Sequence, residues 1–217
     1  MRIAIVCSDS AHPVMPHLER WCAERRARLH TVELRHAAAE VSGGDVLFLV
    51  SCAETVPAEI RARFAASLVL HASDLPRGRG WSPHIWSILA GNNEITVSLL
   101  EAAEQVDAGD IWLQARFRLE GHELLPEIHA RLFEAELWLM SQAVERFGAI
   151  RPMPQAGMPG PYLRRRTPED SRLDADKSIA AQFDQLRVAD QSRFPAFFEL
   201  RGHRYIVKIE KAADDHE

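Results

Sequence analysis

The chain has 217 residues, which predicts one main domain with a sizeable hydrophobic core and room for a small appendage. Hydrophobic residues make up 47% and charged residues 26% of the sequence, the balance of a globular protein in water. The formal net charge of −5 argues against nucleic-acid binding, which needs a broad basic face. The three cysteines have no metal-ligand spacing and no apolar run reaches membrane-spanning length, so a reduced, cytoplasmic protein is expected.

The N-terminal part of the chain alternates apolar runs with helical patterns, which is typical of an α/β fold with parallel strands. Strands are predicted at residues 2–7, 30–34 and 46–50, and helices at residues 14–29 and 58–65. The turn after the first strand lacks the G-x-G-x-x-G pattern of dinucleotide-binding loops, so no nicotinamide cofactor is expected.

The middle of the chain places polar residues at the ends of predicted strands. An apolar run at residues 68–70 indicates a strand that ends on His71, and a turn-rich loop follows it. A helix at residues 83–90 and strands at residues 95–100 and 111–117 are predicted next. Ligands bind beyond the carboxyl ends of strands in open α/β sheets. His71 and Asp107 lie at or just past two such ends, and therefore predict an acid/base pair.

The C-terminal third of the chain predicts a division of the protein. Apolar residues at helical spacing indicate a long helix at residues 124–147, and a Pro/Gly-rich linker follows at residues 149–161. A strand at 162–167, a helix at 176–186 and a hairpin of residues 196–200 and 204–209 are predicted beyond it. We therefore expect a main domain at residues 1–148 and a small α+β appendage at residues 162–217. Apolar residues of the hairpin could pair across a homodimer.

Two segments of the middle region carry a family resemblance. Residues 71–80 (HASDLPRGRG) resemble the H-x-S-x-L-P-x-x-x-G loop of formyltransferases that use N10-formyltetrahydrofolate. Residues 106–110 (VDAGD) resemble the D-x-G-D segment of the same family, in the same order and at a similar distance. The chain is thus identified as a member, with a catalytic domain similar to that of the methionyl-tRNA formyltransferases. The resemblance implies a Rossmann-like domain with a mixed, mostly parallel sheet, N10-formyltetrahydrofolate as formyl donor, and no metal.

The resemblance makes His71 and Asp107 the catalytic residues. An amine must be neutral to attack a formyl group, and an imidazole with an ordinary pKa near 6.5 suits the transfer of its proton. A neighbouring carboxylate orients the ring and favours its protonated form.

One family residue is missing. The asparagine that precedes the histidine by two positions, and donates a hydrogen bond to the oxyanion, is replaced by Val69. Losing one such donor typically costs about 10²–10³ in rate. Three interpretations remain open: protonated His71 with a backbone N–H suffices, Ser73 or an ordered water substitutes, or the protein is a catalytically degraded binding module.

The resemblance also implies a folate site. The loop after the strand at residues 46–50 corresponds to the loop that receives the pterin ring, largely through backbone groups. The candidate folate contacts are Ser51, Cys52, Ala53, Val69, Gln105 and Val106. An ordinary strand-to-helix connection is the alternative for this loop.

The tail indicates the substrate. Residues 166–170 (RTPED), 177–179 (KSI) and 194–198 (FPAFF) are similar to bacterial sugar N-formyltransferases. The resemblance implies that the amino group of a nucleotide-linked amino-deoxy sugar is formylated for surface glycan synthesis. Candidate substrate contacts are Ser73, Arg77, Trp81 and His84. Each has a structural alternative, as loop support or core packing, and the run at residues 164–166 either meets a diphosphate or forms a solvated strand edge. A formyltransferase acting on another small amine, such as glycinamide ribonucleotide, is the competing enzyme.

Overall fold

A computed structural model describes residues 1–212. The strands are β1 (Arg2–Val6), β2 (Thr31–Arg35), β3 (Gly44–Leu49), β4 (Phe64–His71), β5 (Glu94–Glu101), β6 (Ile111–Arg118), β7 (Ala196–Leu200) and β8 (His203–Val207). The α-helices are α1 (Met15–Ala27), α2 (Ala58–Arg61), α3 (Pro83–Leu89), α4 (Leu125–Glu145) and α5 (Phe183–Arg187). Short 3-10 turns lie at Ala38–Glu40, Pro168–Ser171 and Ala180–Gln182.

The first six strands form one sheet in the order β2-β1-β3-β4-β5-β6. The pairs β1–β2, β1–β3 and β3–β4 are parallel, whereas β5 is antiparallel to both β4 and β6. Parallel neighbours need long crossover connections, which here contain α1 and α2. The predicted Rossmann-like, mostly parallel sheet is confirmed, and β7 and β8 form a separate two-stranded sheet.

Strand alternation builds a hydrophobic layer on each face of the sheet. Ile3, Ile5, Leu68 and Leu70 lie in the layer that contains buried residues of α1 and α4, and Ala4, Val6, Leu47 and Leu49 lie in the opposite layer. Phe48 is fully buried and meets the ring of Trp21 edge-on at 6.1 Å between centroids. Burying one such side chain contributes roughly 1.5–3 kcal/mol, so these layers hold the strand ends in place.

The predicted helix at residues 58–65 is too long. It ends at Arg61, because Phe64 pairs with Gly44 and begins β4. The predicted strand at 162–167 is wrong, since only Leu163 of that segment makes a bridge, to Gly80. The flanking prolines explain this: Pro161 has no N–H to donate, and Pro168 restricts the residue before it.

The predicted helix at residues 176–186 is also shorter in the structure. Its first half has no apolar face to bury, and Ile179 is 71% exposed. The side chain of Gln182 instead bonds to the backbone of Asp174 and Lys177, which holds this half as a loop. Only the turn Ala180–Gln182 and α5 remain helical.

The hairpin of β7 and β8 turns through Arg201 and Gly202, both with positive φ. Two consecutive turn residues with positive φ match the twist of antiparallel strands. The turn is therefore two residues long, and β8 begins one residue earlier than predicted. Tyr205 and Ile206 are about half exposed, at 45% and 52%. That these strands pair across a homodimer stays a prediction.

The tail is tied to the main sheet by Arg187, whose side chain is 1% exposed. Its guanidinium donates to Asp184 and to the side-chain oxygen of Asn93, each at 2.6 Å, and lies 3.9 Å from Glu123. The division into a main domain and an appendage stays a prediction, and residues 213–217 of that appendage lie outside the described residues. Within residues 1–212 no helix is long and apolar enough to cross a membrane.

An ionisable residue of α4 is buried in the core. Glu136 faces inwards with 6% exposure, and within residues 1–212 its Oε2 has no hydrogen-bond partner. Burial raises the pKa of Glu136 to about 8, so the side chain is a neutral carboxylic acid near neutral pH.

We predict that Glu136→Gln stabilises the protein at alkaline pH. In the unfolded chain Glu136 loses its proton near pH 4.5 and in the folded protein near pH 8, so its contribution to stability falls as the pH rises through that window. Because glutamine cannot ionise, the variant avoids the cost of burying this carboxyl group above its unfolded pKa. Its free energy of unfolding should rise at pH 8.5 by on the order of a few kcal/mol and change little at pH 4.5. Urea unfolding at both pH values measures this. Glu134→Gln, an exposed change on the same helix, is the control, and an equal response of both variants would contradict the prediction.

Candidate active site

His71 is the last residue of β4 and its side chain is 8% exposed. The loop that follows curls back over the ring, and the Nε2 atom lies 2.9 Å from the carbonyl oxygen of Gly78. The sequence prediction that His71 ends a strand at the edge of the sheet agrees with this position.

Asp107 reaches His71 by a route that differs from the prediction. Because β5 is antiparallel to β4, its carboxyl end lies beside the middle of β4, where Ala102 N donates to Ser67 O at 2.7 Å. The loop of residues 102–110 then folds back towards the end of β4. Asp107 Oδ1 lies 3.5 Å from His71 Nδ1, and Oδ2 accepts a hydrogen bond from Gly80 N at 2.9 Å.

The Nε2 atom of His71 lies at hydrogen-bond distance from the Gly78 carbonyl oxygen, which can only accept, so this nitrogen is the donor. The Asp107 carboxylate faces Nδ1 at 3.5 Å, beyond ordinary hydrogen-bond length, and is placed to stabilise positive charge that develops on the ring. For Nε2 to bind a ligand atom, its contact with Gly78 must open.

Two glycines allow close backbone contacts beside this pair of residues. A side chain at Gly80 would overlap the backbone of Leu163, which lies against it, and a side chain at Gly109 would overlap the carbonyl of Glu101. Leu163 N donates to Arg79 O at 2.7 Å and Trp81 N donates to Leu163 O at 3.0 Å. The tail thus fixes the backbone next to the N–H that holds Asp107.

Gln155 connects the two loops and was missed by the sequence prediction. Its Nε2 donates to the carbonyl oxygens of Asp107 and Gly109 at 2.8 and 2.9 Å, and its Oε1 accepts from Arg79 at 2.9 Å. Asp107 needs such support because its φ of 56° is unfavourable for a residue with a side chain. The only available signal was one amide side chain in a stretch otherwise rich in proline, glycine and methionine.

The loops predicted to contact folate adjoin one another. Cys52, Val69 and Ala102 pack against the same buried cluster, and Arg61 donates to Ala102 O at 2.6 Å. The Val69 side chain thus lies on the same face of β4 as His71 and offers no donor there.

The loop of residues 51–56, which contains three of the folate-contact candidates, has peptide groups that bond to no other backbone group in the described structure. Of these groups, Ala53 N donates to Ser8 Oγ at 3.1 Å. Ser51, Gln105 and Val106 are exposed. Such open peptide groups fit a heteroatom-rich ring, which is the demand that a pterin would make.

The four predicted substrate contacts have different environments. Ser73 is buried, and its Oγ has no hydrogen-bond partner among the described residues. Arg77 is exposed and bonds to Asp74 at 2.6 Å, and the ring of Trp81 is covered by the Arg165 guanidinium at 5.1 Å.

Both ring nitrogens of His84 are closed to solvent, and in the part of the chain that the structure describes neither has a hydrogen-bond partner. Its ring meets that of His129 at 6.2 Å between centroids. Burial lowers the pKa of His84 to about 3, so its ring is neutral. In residues 1–212 no group of three or more His, Cys, Asp or Glu side chains is arranged to hold a metal ion.

A family model described as formyl transferase matches residues 4–144, well over half of the chain. The chain therefore belongs to the formyl transferase family. It is 31% identical over 173 residues to the methionyl-tRNA formyltransferase of Rhizobium meliloti (strain 1021), covering 77% of this chain and 55% of that protein. It is 29% identical over 180 residues to the methionyl-tRNA formyltransferase of Synechococcus sp. (strain JA-3-3Ab), covering 82% of this chain and 54% of that protein. The chain spans about half the length of these curated relatives.

Solved structures show the same fold. A methionyl-tRNA formyltransferase from Clostridium thermocellum matches with a TM-score of 0.82 and 20% identity, over 99% of this chain and 95% of that chain. HypX from Aquifex aeolicus, in complex with tetrahydrofolic acid, matches with a TM-score of 0.81 and 22% identity, over 96% of this chain and 37% of that chain. A sugar N-formyltransferase from Shewanella sp. FDAARGOS_354 matches with a TM-score of 0.72 and 15% identity, over 98% of each chain. At these identities the likeness is one of fold.

We predict that Gln155 rigidifies the Asp107 loop through the two hydrogen bonds that it donates. Gln155→Ala removes them, and Gln155→Glu keeps the length and the Arg79 contact but has no N–H to donate. At about 1 kcal/mol for each bond, amide hydrogen exchange in residues 102–110 should become roughly 5–30-fold faster in both variants. Gln142→Ala on the exposed face of α4 is the control. Unchanged exchange in Gln155→Glu would assign the effect to Arg79 instead.

Proposed function

We propose that this protein transfers a formyl group from N10-formyltetrahydrofolate to the amino group of a nucleotide-linked amino-deoxy sugar. The observation that carries the proposal is the buried pair of His71 Nδ1 and Asp107 Oδ1, 3.5 Å apart beneath two loops that resemble the family's catalytic segments. A product of this kind would enter surface glycan synthesis.

The chemistry follows from the two side chains. N10-formyltetrahydrofolate supplies the formyl group when bound. Protonated His71 donates to the formyl oxygen as negative charge develops there, with the Gly78 carbonyl giving up its contact to Nε2. Asp107 holds the ring and stabilises its charge, and it is placed to pass the proton lost by the amine towards the leaving nitrogen.

Ser73 is our candidate for the second oxyanion donor in place of the family asparagine. Its backbone N–H bonds to His71 O at 2.9 Å and its carbonyl accepts from Ser98 Oγ at 2.7 Å, which fixes the residue beside the histidine. Its own hydroxyl is buried and has no hydrogen-bond partner within residues 1–212. A buried hydroxyl without a hydrogen bond is costly, so a ligand oxygen at this position would relieve that cost.

The folate is proposed to bind between the loop of residues 51–56 and the loop of residues 102–107. The complex of HypX with tetrahydrofolic acid supports a folate in a protein of this fold. The loop of residues 51–56, which makes no backbone–backbone hydrogen bonds in the described structure, and the exposed residues Gln105 and Val106 support the same position.

The amino-sugar substrate rests on two supports. The tail resembles sugar N-formyltransferases in residues 166–170, 177–179 and 194–198, and the solved Shewanella sugar N-formyltransferase shares the fold over 98% of both chains. The net charge of −5 disfavours a tRNA substrate. Because Val69 replaces the asparagine, a folate or nucleotide-sugar binding module without catalysis is the second candidate.

We predict that the wild-type protein formylates at least one nucleotide-linked amino-deoxy sugar, and that His71→Ala and Asp107→Asn lower kcat at least 100-fold because general acid–base contributions are about 10²–10⁴. Mass spectrometry of the products measures this, with glycinamide ribonucleotide assayed in parallel. Asp110→Asn in the same loop is the control and should keep its rate. Folate binding without any formylated product would favour the binding module.

We predict that Ser73→Ala lowers kcat by about 10²-fold, with little change in KM for the amine, because an oxyanion donor acts mainly in the transition state. Steady-state kinetics with the amino sugar that the preceding assay identifies would show whether kcat falls while KM stays constant. Ser67→Ala, which removes a hydroxyl from the same face of β4, is the control. An unchanged kcat in Ser73→Ala would leave His71 and backbone groups as the oxyanion donors.

A further inference from the structure

A cavity of about 480 Å³ lies between α3 and the tail. Trp86 and Leu89, one turn apart on α3, line it together with side chains from the segment 169–185. Cavities that bind small molecules measure roughly 300–1,000 Å³, so there is room for a small organic ligand. In the described structure no residue of the candidate catalytic loops, 71–80 and 102–110, lines this cavity. It is therefore separate from the candidate active site.

The apolar wall of the cavity is held in a fixed position. Trp86 Nε1 donates to Arg164 O at 3.1 Å, and the Arg164 guanidinium lies 4.9 Å from the centre of the indole ring. Leu89 packs against the buried cluster that contains Ile85 and Ile88. A side chain that is already ordered loses little conformational freedom when a ligand packs against it. Half-buried Trp86 thus provides a preformed flat apolar surface whose polar N–H is satisfied.

The charged side chains that line the cavity are compensated from outside it. Each has an opposite charge within 4 Å that does not belong to the lining. The pairs are Asp170 with Arg164, Asp184 with Arg187, Glu169 with Arg204, and Lys177 with Asp174. Because complementary charge guides the choice of a binding partner, this balance disfavours a strongly anionic or strongly cationic ligand.

The same side chains keep hydrogen-bonding capacity for a ligand. Glu169 and Lys177 are 59% and 63% exposed, and their ion pairs of 3.8 and 3.6 Å are longer than hydrogen bonds. Asp184 accepts from Arg187 at Oδ1, and a carboxylate can accept further donors at its second oxygen. The half-buried amide of Gln185 both donates and accepts. A fitting ligand is uncharged, with an apolar face and several groups that donate as well as accept.

We infer that this cavity binds a neutral sugar. A pyranose ring has an apolar face of C–H groups, which packs on the indole of Trp86, and a rim of hydroxyl groups, each of which donates and accepts. Asp184 and Gln185, neighbours on α5, supply acceptors and a donor to that rim. The cavity is then a second carbohydrate site on the tail side of α3, and it does not depend on the proposed reaction.

An NMR titration of the 15N-labelled protein tests this through the indole N–H resonance of Trp86, which Trp86→Phe assigns by its absence. The probes are the methyl glycosides of glucose, galactose, mannose and N-acetylglucosamine, with pyrophosphate and spermidine as charged comparisons. We expect at least one glycoside to shift this resonance in a saturable manner, and neither charged probe to do so. Because the reporter lies in the cavity, sugar bound only at the candidate active site leaves it unchanged.

The variants separate the apolar wall from the polar one, with saturation-transfer difference signals of the glycoside as the readout. Trp86→Ala removes the apolar surface and should weaken binding by roughly tenfold or more, and Gln185→Ala should weaken it severalfold. Trp138→Ala is the matched control, because it removes a half-exposed tryptophan from a different groove, between α1 and α4, and should bind like the wild type.

Three results would overturn the inference: no saturable shift with any of the four glycosides, equal affinity of Trp86→Ala and the wild type, or a shift of the Trp86 resonance by a charged probe alone. If Trp86→Ala does not fold, Gln185→Ala decides the matter, and an unchanged affinity there counts against the site. Glycoside binding by a protein that formylates no amino sugar would uphold the inference and reject only the proposed reaction.

Discussion

The candidate site depends on one contact between loops that are far apart in sequence. His71 ends a parallel strand in a position that the sheet fixes, but Asp107 belongs to a loop that must double back along β4 to meet it. The carboxylate is held there by the Gly80 N–H on one side and, through its own carbonyl, by Gln155 on the other. The alignment of the ring and the carboxylate is therefore a property of four chain segments and not of the sheet alone.

This arrangement gives the Pro/Gly-rich segment and the tail a direct role in positioning. Met153 pairs with Ile111, Gln155 joins the two loops, and Leu163 runs beside Gly80. Prolines keep this segment extended and leave its few donors free to bond to other backbone groups. A stretch that the sequence presented as a spacer between two units is thus part of the wall of the candidate site.

The parts of the structure that local patterns determine could be predicted. The apolar runs of β1 and β3 are buried on both faces, and the spacing of Ile128, Leu132 and Leu139 marks α4, so the hydrophobic pattern alone identifies these elements. His71 and Asp107 do lie 3.5 Å apart, and their role as an acid/base pair stays a prediction; the argument from strand ends was wrong for Asp107, because it did not include the reversal of β5. The Gln155 side chain and the Leu163 backbone bond to backbone groups that are far away in sequence, and no periodicity in the sequence encodes such contacts.

The unpaired polar groups of this protein fall into two physical kinds. Glu136 lies inside the helix–sheet layer, where losing its charge removes most of the cost of burial, so a neutral acid can stay there without a partner. Arg166 is 8% exposed and its buried Nε has no hydrogen-bond partner among the described residues, yet it cannot do the same, because a guanidinium keeps its proton at any ordinary pH. Within residues 1–212, Ser73 and His84 likewise keep buried polar atoms without a hydrogen-bond partner. Each of these three side chains has lost hydrogen bonds to water without replacing all of them, so each lowers the stability of the fold, whereas Glu136 avoids most of that cost by losing its charge.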